Sequence, residues 1–460
     1  MLTKEQVDAA VKAYDVRGVV GENGFDADFV RTVGASFAHL MRQEGAQVVV
    51  IGHDMRDSSP SLSHAFGLGV RSQGLDVVEL GLTSTDELYY ASGVMECPGA
   101  MFTASHNPAK YNGIKMCRSG ARPVGQETGL ATIKEHLVSG VPDYNGESGT
   151  IEERNILDDY GQYLRDLVDL SDIRHLKIAV DAGNGMGGLT VPAVLEPLNV
   201  DIKPLYFELD GTFPNHEANP LEPKNLVDLQ RFTTETGADI GLAFDGDADR
   251  CFVVDEKGDP VSPSAICALV AERYLQQHPG ATIIHNLITS KAVPELIQRL
   301  GGTPVRTRVG HSFIKAKMAE HKAVFGGEHS AHYYFQEFFN ADSGLLAALH
   351  VLAALGEQDR PLSELMAQYT TYVASGEINS RLASAQEQKE RTQAVLDAFA
   401  DRIESTDTLD GTTVQLQGTP AWFNLRASNT EPLLRLNVEA PTQEEVTALT
   451  EEILGIVRGR

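Results

Sequence analysis

The chain has 460 residues, too many for one hydrophobic core, and length alone suggests about three domains. Its 42% apolar and 7% aromatic content is that of an ordinary soluble globular enzyme. A formal charge of -26 argues against a nucleic-acid or acidic-membrane partner.

In chain order, Met1 to Tyr14 reads as an amphipathic helix rather than a signal peptide. No run approaches the roughly 18 apolar residues of a membrane span, so a cytoplasmic location is expected. Gln47 to Gly52 is strand-like, Ser61 to Gly74 helical, Leu75 to Gly81 strand-like, Thr85 to Met95 helical and Gly99 to Thr103 strand-like. That alternation predicts a sheet with parallel strands and helices on its faces. A Gly/Ser/Pro-rich stretch at 139–150 marks a boundary, and the rhythm restarts with helix 156–168, strand 176–182, helix 189–198 and strand 201–207. A third round runs from Arg250 to about Gln368. The tail differs: strand 376–382, a long polar helix 386–401, strands 409–417, 421–426 and 432–440, and a closing helix 443–457. These patterns predict three similar α/β domains (1–150, 151–250, 251–370) with mixed, largely parallel sheets, and an α+β domain (371–460). Cys97, Cys117, Cys251 and Cys267 lack metal-binding or redox spacing and read as reduced thiols.

Two segments carry the chemistry. Thr103-Ala-Ser-His-Asn-Pro108 follows a strand-like run, and Pro108 prevents a helix from continuing regularly there, so Ser105 is expected on a loop as a candidate nucleophile. Phe244-Asp-Gly-Asp-Ala-Asp-Arg250 places Asp245, Asp247 and Asp249 at alternate positions. An extended loop turns all three to one side, as a hard divalent cation requires. His106 invites a Ser-His reading, but adjacent side chains rarely point at one another, so no triad is expected. The aspartates with Glu256 resemble an EF-hand calcium loop, yet Arg250 stands where glycine is needed and a strand precedes the loop. Gly183-Asn-Gly-Met-Gly-Gly188 with Asp210 matches a dinucleotide-binding fingerprint, so a nicotinamide-dependent sugar-phosphate dehydrogenase is the rival reading. It leaves the Ser105 and aspartate loops unexplained.

These two segments, with Tyr14-Asp-Val-Arg-Gly18, Gly327-Glu-His-Ser-Ala-His332 and Arg426-Ala-Ser-Asn-Thr430 in the same order, resemble the α-D-phosphohexomutase family, the phosphoglucomutases and phosphomannomutases. The resemblance spans nearly the whole chain and implies that the four domains surround a central cleft. It implies that Ser105 carries a phosphoryl group and that Ser105, Asp245, Asp247 and Asp249 hold Mg²⁺. Hexose 1,6-bisphosphate is the implied intermediate and activator. It further implies a proton-transfer and electrostatic set of Arg17, Lys115, Arg250 and His311, with Lys115 or His311 as base. Tyr14, Lys291, Glu328, Ser330 and His332 would bind the sugar phosphate, and Arg426, Ser428, Asn429 and Thr430 the phosphate not being transferred. Gly327 to His332 looks closer to bacterial phosphomannomutases than to glucose-specific relatives, so mannose phosphate is the expected substrate, with glucose phosphate as alternative; Ala331 departs from the Gly more usual there. The implied partner is a small hexose phosphate and the expected state a monomer.

Overall fold

The computed structural model describes residues 3–12, 15–427 and 433–459. Its first sheet runs, edge to edge, Val16–Val19, Tyr111–Arg118, Gly99–Phe102, Val48–His53, Asp76–Leu82 and Ile151–Glu153, with Arg122–Pro123 paired to Tyr111–Arg118. Val48–His53 pairs in parallel with both neighbours, whereas Gly99–Phe102 and Tyr111–Arg118 form an antiparallel hairpin. The Val48-Val-Val-Ile51 run is the near-continuous β-branched sequence of a strand covered on both faces.

The same plan recurs. In the second sheet Leu176–Asp181 lies parallel to Val200–Leu205 and Ile240–Phe244, and the latter turns back antiparallel into Cys251–Asp255. In the third, Thr282–Asn286 lies parallel to Thr303–Thr307 and Phe325–Gly327, and the latter turns back into Tyr333–Phe335. Each parallel set thus ends in one antiparallel hairpin. The C-terminal sheet is antiparallel throughout, with Trp422–Ala427 and Leu433–Ala440 at its centre and helices Ala385–Ala398 and Gln443–Val457 packed on it.

The sheets cross two of the expected divisions. Ile151–Glu153 pairs with Asp76–Leu82 of the first sheet, and Cys251–Asp255 with Pro260–Val261 completes the second. A boundary at 150 or 250 would sever ladder hydrogen bonds.

The cores divide differently from the sheets. One continuous cluster joins the first three units, from Val50, Leu88 and Tyr160 through Val180 to Leu269 and Phe335. A second fills the other face of the first sheet under helices Ala27–Gln43 and Ser59–Ser72. The C-terminal unit has its own cluster around Phe399, Phe423, Leu436 and Ile453. Helix Thr85–Val94 is buried at the junction: its capping serine Ser84 accepts from the Glu87 amide, and the Glu87 carboxylate accepts from the Ser84 amide. Next to that cap, Asp86 accepts from Tyr160 Oη (2.7 Å) of the second unit and Ser343 Oγ (2.6 Å) of the third. Among the described residues no helix is long and apolar enough to cross a membrane.

Candidate active site

The loops singled out in the sequence occupy one topological position. Residues 103–110, 245–250 and 328–332 each join the two strands of the antiparallel hairpin that ends a parallel set. Three similar folds packed on one core therefore present three hairpin turns to one place. Ser428, Asn429, Thr430 and Tyr14 lie outside the described residues.

Ser105 sits in the left-handed region with φ +50°, uncommon for a non-glycine residue and characteristic of strained functional positions. Its amide donates to Thr103 Oγ1 (2.8 Å), and its hydroxyl donates to Asp245 Oδ2 (2.7 Å). The turn is fixed by Arg56, which sequence reasoning missed. Its guanidinium donates to the carbonyls of Ser105 (2.8 Å), Asn107 (2.7 Å), Pro108 (3.0 Å) and Tyr111 (3.1 Å), and to the Asp54 carboxylate (3.1 Å). Arg56 is 1% exposed, so a single buried fork gathers three carbonyls of the loop and that of Tyr111 where the next strand begins.

The aspartate loop closes on this serine. Arg250 donates to Asp245 through Nε (2.9 Å) and Nη2 (2.7 Å), and its Nη2 also reaches His106 Nδ1 (2.5 Å). Lys115 Nζ donates to Asp247 Oδ2 (2.7 Å) and Asp249 Oδ2 (2.5 Å), and Thr85 Oγ1 donates to Asp247 Oδ2 (2.6 Å). The opposite oxygens, Asp247 Oδ1 and Asp249 Oδ1, are buried with no hydrogen-bond partner among the described residues. One oxygen from each of the three aspartates lies within 4.8 Å of the others. Oxygen-only donors, convergent and incompletely satisfied, fit a hard divalent cation. Burial pushes the Asp245 carboxyl up to about 7 against the pull of Arg250, with Asp249 and Asp247 adding repulsion. That is the charge excess a cation relieves.

The third loop is equally tied down. Glu328 accepts from Asn286 Nδ2 and the Gly310 amide (both 3.1 Å) and from Tyr334 Oη (2.7 Å). Ser330 Oγ lies 3.0 Å from His332 Nδ1, and His332 Nε2 lies 3.6 Å from Asp249 Oδ1, linking this loop to the aspartates. Ala331, with φ +65°, occupies a left-handed turn position, which gives the physical reason glycine is usual there. Arg17 joins at one remove, donating to Asn107 Oδ1 and Asp15 Oδ2 (both 2.5 Å).

Two expected residues are placed apart from the serine. Lys291 Nζ donates to Gln415 Oε1 (3.1 Å) and its amide to Glu439 Oε1 (2.9 Å), bridging the third and C-terminal units. Arg426 donates to Glu377 Oε2 (3.2 Å). Arg426 and Ser330 line one cavity of about 700 Å³ between the second, third and C-terminal units, a cavity whose walls do not include Ser105.

Burial disfavours the Lys115 ammonium, but Asp247 and Asp249 more than reverse this and hold its pKa well above the ordinary value. His311 is the neutral member of the two candidate bases: burial, then the charge of Lys315, lowers it to about 3. The geometry corrects one expectation, for His106, whose Nδ1 lies 3.3 Å from Ser105 Oγ. The left-handed turn at Ser105 brings the two adjacent side chains together. Burial and then Arg250 depress its pKa, so the neutral ring accepts from Arg250 and orients that guanidinium toward Ser105.

The rival motifs resolve structurally. In the glycine-rich turn, a Cβ on Gly185 would lie 2.7 Å from the Gly246 carbonyl oxygen, and one on Gly188 would collide with the Phe207 carbonyl. The glycines let the turn pack directly under the aspartate loop, where the Met186 amide donates to the Gly246 carbonyl (2.9 Å), and that backbone fills the space a pyrophosphate would need. Glu256 turns away and accepts from Ser363 Oγ and its amide (2.5 and 3.0 Å), leaving no twelfth-position calcium ligand.

Comparison with known proteins follows the same division of the chain. Family models described as phosphoglucomutase/phosphomannomutase α/β/α domains I, II and III match residues 8–140, 158–258 and 262–372, and the model of the C-terminal domain matches 377–456. The chain is 37% identical over 456 residues to the phosphohexose mutases of Xanthomonas campestris pv. campestris, covering 98% of this chain and 99% of the relative. It is 37% identical over 460 residues to the phosphomannomutase of Salmonella montevideo, covering 97% and 98%. Among solved structures it superposes on a phosphoglucomutase/phosphomannomutase family protein from Burkholderia thailandensis with a TM-score of 0.89 at 30% identity, over 100% of this chain and 98% of that one.

Proposed function

The chain belongs to the phosphoglucomutase/phosphomannomutase family and is an isomerase of the phosphohexomutase class, and we propose that it interconverts mannose 6-phosphate and mannose 1-phosphate. One observation carries the proposed chemistry: the Ser105 hydroxyl lies 2.7 Å from Asp245 within a triad holding two unsatisfied carboxylate oxygens.

In this reading phospho-Ser105 is the resting donor. The free hydroxyl oxygen of a hexose phosphate attacks the phosphorus, the bond from phosphorus to Ser105 Oγ breaks, and the hydroxyl proton passes to a base. Lys115 and His311 are the two candidates for that base, with His311 held neutral by burial and the charge of Lys315. Arg250 neutralises charge on the transferring group, held in aim by Asp245 and His106. Asp245, Asp247 and Asp249, with Ser105, are the residues that would hold Mg²⁺, which when bound supplies Lewis-acid stabilisation of the moving phosphoryl oxygens. The hexose 1,6-bisphosphate then turns over and returns its other phosphoryl group to Ser105.

Glu328 and Ser330 are assigned to the sugar hydroxyls, and Arg426 with Ser428, Asn429 and Thr430 to the phosphate that stays behind. Tyr14 and Lys291 complete the proposed substrate set, and we place the enzyme in the cytoplasm as a monomer. The names of the bacterial relatives support mannose. Comparing kcat/KM for mannose 1-phosphate and glucose 1-phosphate tests the preference: a clearly higher value for mannose is expected, and a higher value for glucose would make the enzyme a phosphoglucomutase.

A further inference from the structure

Thr85, the first residue of helix Thr85–Val94, is fully buried and holds the aspartate loop at two points. Its amide donates to the Asp247 carbonyl (3.1 Å) and its hydroxyl to Asp247 Oδ2 (2.6 Å). Lys115 Nζ donates to the same oxygen (2.7 Å). Both side-chain donors therefore take one oxygen of this carboxylate and leave Oδ1 buried with no hydrogen-bond partner among the described residues. Thr85 is itself fixed from three units. Its neighbour Asp86 accepts from Ser84 Oγ (2.5 Å) of the first, Tyr160 Oη (2.7 Å) of the second and Ser343 Oγ (2.6 Å) of the third. Three hydroxyls on one buried carboxylate lock the start of this helix against both neighbouring units.

The two donors on Asp247 Oδ2 differ in kind. Lys115 orients the carboxylate but brings a positive charge, which opposes a cation at the same aspartates. The threonine hydroxyl orients it and leaves its negative charge undiminished. An aspartate without such a pin turns broadly about its last torsion. A β-branched donor in a helix has few rotamers, so the pin itself stays in place. Resting on the reading of the aspartate loop as a divalent-cation site, we infer that Thr85 is a positioning residue for that site. It holds Asp247 with Oδ1 free for the cation, through a neutral group that does not repel it. Cation affinity in the second unit is thereby set by a hydroxyl of the first, and the site is complete only when the two units are docked.

Mn²⁺ is the probe, since it suits the same oxygen ligands and its free concentration is read directly by electron paramagnetic resonance. Chelator-stripped wild-type enzyme should bind one Mn²⁺ per chain that Mg²⁺ displaces. Thr85→Val keeps the shape and deletes the hydroxyl, and should weaken that binding about ten-fold or more, the worth of a hydrogen bond to a charged group. The Mg²⁺ concentration for half-maximal kcat should rise by the same factor, with KM for hexose 1-phosphate unmoved. Thr85→Ser restores the donor and should recover most of the affinity. Thr85→Ala repeats the deletion if the valine variant does not fold. A residue serving stability alone would lower the melting temperature of the cation-free enzyme and leave Mn²⁺ affinity as it was. Wild-type affinity in the variants that lack the hydroxyl, or no recovery in Thr85→Ser, overturns the positioning role; wild-type enzyme that still binds Mn²⁺ and turns over hexose phosphates then keeps the cation and mutase readings. Wild-type enzyme that binds no Mn²⁺ ends the cation reading of the loop and the role of Thr85 with it.

Discussion

Ser105 illustrates how one backbone angle decides chemistry. At φ +50° the residue turns its hydroxyl onto Asp245 and brings His106 alongside, and Arg56 holds the turn through four carbonyls. Arg56→Met would leave Asp54 buried and unpaired, a loss of about 3–5 kcal/mol that chemical denaturation would detect. Arg56→Lys keeps the charge but lacks the planar fork, so kcat should drop more than the denaturation midpoint. Equal losses in the two would mean that Arg56 serves stability alone. Ala331 is the opposite case, an L-residue at φ +65° with no hydrogen-bonding side chain to favour the turn. Ala331→Gly should raise stability by up to about 1 kcal/mol, seen as a higher melting temperature. At this scale the sequence was legible where chemistry is written in side-chain type, as in Ser105 and the three aspartates. It was not legible at Arg56, whose role depends on carbonyls about fifty residues away, or at His106, whose orientation depends on a torsion that no spacing encodes.

The helix Thr85–Val94 ties its cap to the site, with Thr85 hydrogen-bonded to Asp247 and Asp86 to two other units. Burial raises Glu87 in its first turn from 4.5 to about 8. A raised folded-state pKa means that the proton favours the native state. The associated stability is complete below the unfolded value near 4.5 and is lost as pH rises through about 8. Melting temperature should therefore decline across that window, and Glu87→Gln should flatten the decline; an unchanged slope would place the titration elsewhere. The aspartate loop gives the other prediction at this scale. Asp247→Asn removes one charge from the convergent oxygens, so activity and its dependence on added Mg²⁺ should weaken together. Full activity of the wild-type enzyme after exhaustive chelation would contradict a metal role for the loop. The strands and helices that the alternation predicted lie close to the observed ones, because β-branched runs and capped helices are local, whereas helix Ala27–Gln43 and strands Tyr111–Arg118 and Ile403–Asp407 were not read from the pattern. The strands Ile151–Glu153 and Cys251–Asp255 crossed the expected boundaries because their sheet partners are set by tertiary pairing.

Across the whole molecule, three units share one hydrophobic core and the fourth has its own. Lys291 with Glu439 and Arg306 with Asp407 are polar links across that division. The C-terminal unit should therefore unfold as a separate step. Trp422 reports it alone, since the chain has no other tryptophan, whereas far-ultraviolet circular dichroism is weighted toward the remaining units. The two probes should give different denaturant midpoints, and coincident curves would show that the units unfold together. A C-terminal unit with its own core beside three units that share one suits the proposed reorientation of a bisphosphate in the site.

The central claim is that Ser105 carries the phosphoryl group between the two ends of the sugar. Its most direct test is incubation of the dephosphorylated enzyme with radiolabelled hexose 1,6-bisphosphate, followed by peptide mapping and a chase with unlabelled mannose 1-phosphate. The account predicts one label per chain, located on Ser105, absent from Ser105→Ala, and discharged into hexose bisphosphate during the chase. Label on another residue, or an active Ser105→Ala enzyme with no covalent label, would contradict it.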